Sequence, residues 1–193
     1  MRGRRMFIAV DPPTEVAARA RAIVDRLRAA GVEAAWVPPA QLHLTLHFLG
    51  DEVDDADLHR ICVAMDEAAA TMPAHRLGFG GVGVFPDVRR PRVVWLGVRE
   101  GTADLTRLYN ALAERLEPLG FPPEARGFRP HLTLGRFRDR GQAGGAALAD
   151  AIASGDDAVT AAMQVRRIVL YESRLSKAGA EHDRLHAAAL ANG

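Results

Sequence analysis

The chain has 193 residues, about half of them apolar and a quarter charged, with a net charge of +1. That balance suits one soluble globular domain, and it excludes a disordered chain, a collagen-like repeat and a strong global field that would gather polyanions. Lys177 is the only lysine, so nearly all basic side chains are arginine.

In chain order, alternation and helical periodicity predict a strand over 6–11, a helix over 14–30, strands around 35–49, a helix over 54–71 and a strand over 74–84. A strand over 92–99, a helix over 102–118, a strand over 128–138 and a short helix over 143–153 follow. A strand over 162–171 and a last segment around 182–190 complete the chain. Arg140–Gly145 reads as a surface loop. No apolar run approaches membrane-spanning length, and the run after the N-terminal arginines is too short for a signal peptide. Cys62, the only cysteine, forms no internal disulfide and fits a reducing cytoplasm; its helical neighbours Leu58, Ile61 and Met65 mark it as a core residue.

The most informative feature is a repeated tetrad, His43-Leu44-Thr45-Leu46 and His131-Leu132-Thr133-Leu134. On a strand, each copy puts His and Thr on one face and both leucines on the other. The flanks repeat as well. A strand beginning near Met6, a helix and a turn at Gly31 precede the first copy; a strand beginning near Val93, a helix and a turn at Gly120 precede the second. Thus 37 positions separate Met6 from His43, and 38 separate Val93 from His131. We expect a single domain over 1–193 built from two duplicated strand–helix–strand halves, about 6–50 and 93–138. The fold class is α+β: two pseudo-symmetric lobes with mainly antiparallel sheets lining a central cleft and helices outside.

Two imidazoles and two hydroxyls facing shared space suit proton transfer on a phosphodiester. Near neutrality one imidazole is a free base and the other a cation, while Thr45 and Thr133 bond the non-bridging oxygens. Nothing in this set requires a metal or a cofactor. Strict alternation from His131 puts Arg136 on the leucine face, so a twist or bulge is needed to bring it to the cleft.

Other signals carry less. Gly78–Gly83 fits G-x-G-x-x-G, but Val84-Phe85-Pro86-Asp87 follows where a dinucleotide site needs a helix. His43/His47 and His182/His186 have the helical spacing of a zinc pair, the first in a strand-like segment and the second without a glutamate. His59 and His75 read as surface or half-buried residues. Trp36 and Trp95 sit in apolar runs and read as core, with base stacking as the alternative.

The chain resembles the 2H phosphoesterase superfamily, within it the bacterial and archaeal RNA 2′,3′-cyclic phosphodiesterases once named 2′-5′ RNA ligases. The resemblance rests on Trp36-Val37-Pro38-Pro39 and His43–Gly50, on Gly83-Val84-Phe85-Pro86 and Pro91–Val98, on Phe128–Arg136 and on Glu172-Ser173-Arg174-Leu175. It runs from about Met6 to about Leu185. It implies hydrolysis of a terminal 2′,3′-cyclic phosphate to a 2′-phosphate, with His43 as proton donor, His131 as proton acceptor, and Thr45, Thr133 and Arg136 on the phosphate. The reverse reaction with an RNA 5′-hydroxyl would make a 2′-5′ linkage. Partners are then RNA ends or small cyclic nucleotides, with the chain acting as a cytoplasmic monomer and no membrane involved. The residues alone do not say which histidine is the acid. They leave open a 2H enzyme for another cyclic phosphate ester and a non-catalytic binder of RNA ends. His182 stands where the family commonly has Tyr.

Overall fold

A computed structural model describes residues 3–125, 127–137, 145–153, 160–176 and 179–191. Its elements are β1 (Arg4–Val10), α1 (Thr14–Ala29), β2 (Ala35–Trp36), β3 (Leu44–Val53), α2 (Leu58–Ala70), β4 (His75–Phe85) and β5 (Val93–Glu100). Then come α3 (Thr102–Leu116), β6 (His131–Arg136), α4 (Gly145–Ala153), β7 (Ala161–Val165), β8 (Arg167–Ser176) and β9 (Gly179–Ala189). The strands form two sheets with antiparallel neighbours, a four-stranded one in the order β3-β1-β8-β9 and a five-stranded one in the order β2-β6-β5-β4-β7. This is the expected α+β class. Among the described residues no helix is long and apolar enough to cross a membrane.

Helices α1 and α3 form for the same reason. Val16, Ala20, Ile23, Val24 and Leu27 make one buried stripe on α1, and Leu105, Leu108, Leu112 and Leu116 make one on α3. Each fully buried leucine contributes about 1.5–3 kcal/mol by leaving water. Both helical segments stop at a glycine in the left-handed region, Gly31 with φ 81° and Gly120 with φ 95°. Beyond each glycine an amide reaches back to a carbonyl of the last turn, Val32 to Leu27 and Phe121 to Leu116. A side chain at either position would strain the turn.

Several boundaries differ from expectation. The apolar run over 162–171 is two strands in different sheets, β7 beside β4 and β8 beside β1, with Arg166 at the switch. The strands expected around 35–49 are interrupted by a 3-10 turn over Pro39–Gln41, because prolines 38 and 39 cannot donate to a ladder. The strand expected over 128–138 is confined to β6, and the last segment is β9, a strand reaching back to Gly179. The expected loop over 140–144 and Lys177 lie outside the described residues, while Gly145 opens α4.

Candidate active site

The site is carried by β3 and β6, which approach one another. Leu44, Leu46, Leu132 and Leu134 are at most 3 % exposed and face the core, so His43, Thr45, His131 and Thr133 are turned outward. Thr45 is exposed and Thr133 half-buried, and among the described residues neither hydroxyl has a hydrogen-bond partner.

Alternation then breaks at the same place in both strands. Against β1, Ala9 pairs with Thr45 but Ile8 pairs with His47, leaving Leu46 as an extra residue. Against β5, Trp95 pairs with Thr133 but Val94 pairs with Gly135, leaving Leu134 as an extra residue. A bulge reverses the face of everything beyond it. Arg136, opposite Val93, therefore returns to the face of Trp95 and Thr133. The corresponding turn on β3 sends His47 to the core, 3 % exposed, where its Nε2 donates to the Phe121 carbonyl at 3.1 Å. It places Phe48 opposite Phe7 on the His43 face.

Each candidate imidazole is held from behind in the same way. His43 Nδ1 donates to the Gln41 carbonyl at 2.8 Å, and His131 Nδ1 donates to the Arg129 carbonyl at 2.7 Å. A carbonyl only accepts, so Nδ1 carries the proton and Nε2 is left for chemistry. The bond reflects local geometry rather than a signature of catalysis, since His75 donates to the Pro73 carbonyl in the same manner. His75 is buried, against the surface or half-buried position expected, whereas His59 is exposed.

The surroundings differ. His43 stacks on Phe7 at 4.7 Å between centroids, and Phe7 stacks in turn on Tyr171 at 5.3 Å. His182 stands edge-on to His43 at 5.2 Å. His131 meets the edge of Phe85 at 5.1 Å and a tilted Trp95 at 6.2 Å. Burial lowers the His43 pKa to about 4 and lowers that of His131 as well; the nearby Arg136 guanidinium pushes both in the same direction. One cation from β6 thus bears on the histidines of both strands. Beside His43, Asp11, Thr14, Gln41, Tyr171, His182 and Arg184 line an open pocket of about 380 Å³. Tyr171 and Arg184 are both bonded to the Asp11 carboxylate there.

Trp95 is half-buried on the His131 face rather than in the core, and it lies over Gly83, where a Cβ would come within 2.2 Å of the indole. That explains one glycine of Gly78–Gly83, which belongs to strand β4 and precedes no helix. Trp36 is half-buried over Gly135, with the Arg28 guanidinium 5.7 Å from its ring. Neither histidine pair with zinc spacing converges: His47 points away from His43, and β9 separates His182 from His186, which bonds Asp66 at 2.8 Å. Among the described residues no three His, Cys, Asp or Glu side chains are grouped to hold a metal ion. Phe7 and Phe85 were not singled out from the sequence; β1 is apolar on both faces, so no alternation marks which side chains meet the histidines.

The sequence model of the 2′-5′ RNA ligase superfamily matches residues 12–177. The chain belongs to the 2′-5′ RNA ligase superfamily. Among its relatives, the RNA 2′,3′-cyclic phosphodiesterase of Archaeoglobus fulgidus is 37% identical over 176 residues, 91% of this chain and 94% of that one. The protein of the same name from Thermotoga maritima is 39% identical over 134 residues, 69% of this chain and 70% of that one. Among solved structures, TT0787 of Thermus thermophilus superposes with a TM-score of 0.78 at 27% identity, covering 97% of this chain and 98% of that one. The LigT protein of E. coli complexed with phosphate superposes with a TM-score of 0.68 at 26% identity over the whole of both chains.

Proposed function

We propose that this protein hydrolyses the terminal 2′,3′-cyclic phosphate of RNA to a 2′-phosphate by two-histidine acid–base catalysis. The carrying observation is the matched placement of His43 and His131, each with Nε2 free and both within the influence of Arg136. The names borne by the superfamily relatives supply the substrate class.

In this reading Nε2 of His131 takes a proton from water as the water oxygen bonds to phosphorus. The bond from phosphorus to the 3′-oxygen breaks, and Nε2–H of His43 supplies the proton that the leaving oxygen needs. The resemblance assigns these two roles. Protonated His43 keeps its Nδ1–H on the Gln41 carbonyl, a contact that favours the cation. Thr45, Thr133 and Arg136 bond the non-bridging oxygens as their charge grows. An RNA 5′-hydroxyl attacking phosphorus in place of the water gives up its proton to His131, the same bond to the 3′-oxygen breaks with a proton from His43, and a 2′-5′ bond is formed. We read the paired bulges at Leu46 and Leu134 and the paired glycine stops at Gly31 and Gly120 as support for duplicated halves. The enzyme acts as a monomer in the cytoplasm in this proposal.

The test is incubation with an oligoribonucleotide ending in 2′,3′-cyclic phosphate and identification of the product end. We expect a 2′-phosphate, with turnover falling at least about 10²-fold for His43→Ala and for His131→Ala. Near wild-type hydrolysis by His131→Ala would defeat the mechanism.

A further inference from the structure

The two sides of the site treat their arginines differently. Around β3, β1, β8 and β9 the guanidinium groups are already neutralised at every position but Arg167, at the start of β8: Arg4 by Asp55 and Glu172, Arg5 by Asp51, Arg174 by Asp183 and Arg184 by Asp11. Around β6 and the turn joining β4 to β5 they are not. Arg89, Arg90, Arg92, Arg129 and Arg136 are all exposed, and none makes an ion pair among the described residues.

These five lie together. The turn begins at Phe85, whose ring touches His131, and ends at Val93, which pairs with Arg136. The Arg92 carbonyl accepts from the Phe137 amide, tying the base of the turn to the end of β6. Arg129 is the residue whose carbonyl holds His131. Two carboxylates stand nearby. Asp87 spends its Oδ1 on the backbone amides of Arg89 and Arg90, which fixes the turn without engaging their side chains. Glu124, whose charge is felt at His131, is exposed on the preceding loop. The local excess is positive in a chain whose net charge is only +1. Unpaired guanidinium groups give up no intramolecular partner on meeting phosphate, and they bond it in a bidentate manner.

We propose that the single-stranded RNA behind the cyclic phosphate runs over the β4–β5 turn, its backbone phosphates carried by Arg89, Arg90 and Arg129, so that the enzyme prefers RNA ends to cyclic mononucleotides. This rests on the function proposed above. The turn is set apart from the place proposed for the reacting phosphate: Arg136, not Arg89 or Arg90, is the arginine whose charge is felt at His43 and His131.

Arg89→Ala/Arg90→Ala separates the two, with Arg21→Ala/Arg26→Ala on the exposed side of α1 removing the same charge elsewhere. Steady-state kinetics are measured on a cyclic-phosphate RNA of about ten nucleotides and on a 2′,3′-cyclic mononucleotide, across a range of salt. For the turn variant, KM on the RNA should rise roughly three- to tenfold, and its logarithmic salt slope should fall by about 1.4, about 0.7 for each backbone phosphate no longer neutralised. Its kinetics on the mononucleotide, and those of the α1 variant on both substrates, should match wild type. An unchanged RNA KM, an equal rise for the mononucleotide, or an equal effect of the α1 variant would overturn the proposal. A wild-type enzyme that hydrolyses neither substrate would overturn the underlying reading and this proposal with it; one that hydrolyses both equally well would overturn only this proposal.

Discussion

The His43 imidazole lies on the Phe7 ring, centroids 4.7 Å apart and planes 29° from parallel. The stack takes one face of the imidazole out of water, which penalises the cation and contributes to a pKa near 4. A histidine poised so low is neutral in the free protein at neutral pH. An anion placed between the histidines reverses the penalty, because opposite charge favours the protonated ring. NMR titration of His43 with and without saturating sulfate, which does not itself titrate in this range, should show the pKa rising on binding. An unmoved His43 resonance would remove the anion from its neighbourhood.

The same burial makes the fold sensitive to acid. His43, His47, His131 and His182 all have pKa values lowered, chiefly by desolvation, below the ordinary 6.5. The unfolded chain binds protons at these positions from about pH 6.5 downward, while the folded His43 resists until about 4. Stability is therefore full above pH 6.5 and is lost as pH falls toward 4. Thermal melts should show a falling Tm through that window, with a smaller fall for His43→Asn. A flat Tm between about pH 7 and 5 would contradict it.

Arg136 reaches the face of His131 and Thr133 only through the bulge at Leu134. Arg136→Ala should lower kcat/KM by about 10²–10³-fold, in the range for losing one charge-stabilising donor. Arg136→Lys should recover part of this, since it restores the charge without the fork. Equal loss from both variants would mean geometry alone matters; no loss from either would take Arg136 out of the phosphate site.

Gly83 is the floor beneath Trp95. A methyl there would meet the indole at 2.2 Å, so Gly83→Ala must shift the ring from its place beside His131. The expected cost is about 1–3 kcal/mol of stability, as for other overpacked sites, with reduced turnover and an altered near-ultraviolet dichroism from tryptophan. Wild-type melting and turnover would show that the ring position is immaterial.

All the proposed acid, base and donor groups are organic, so activity should survive excess chelator. Loss on chelation, restored by zinc or manganese, would bring metal chemistry into the reaction and displace the two-histidine mechanism.

The paired tetrads were enough to place the leucines in the core and His43, Thr45, His131 and Thr133 outside it, because side-chain direction in a strand follows a period of two. Gly31 and Gly120 likewise marked both helix stops, a local property of residues without a Cβ. Arg136 shows where that reasoning ends. Counting by twos put it on the leucine face, and only the pairing with β5 reveals the extra residue that returns it. The same applies to His47, whose spacing from His43 suggested a metal pair until the bulge turned it into the core. Phe7 and Phe85 were invisible for a different reason: in strands apolar on both faces, composition carries no face information. Which ring lies against which histidine, and which arginines go without a carboxylate, depends on strands far apart in sequence. The sequence by itself determined the periodic and local features; bulges, sheet order and the company each charge keeps were decided only when the two sheets assembled, because they are properties of pairing between distant segments.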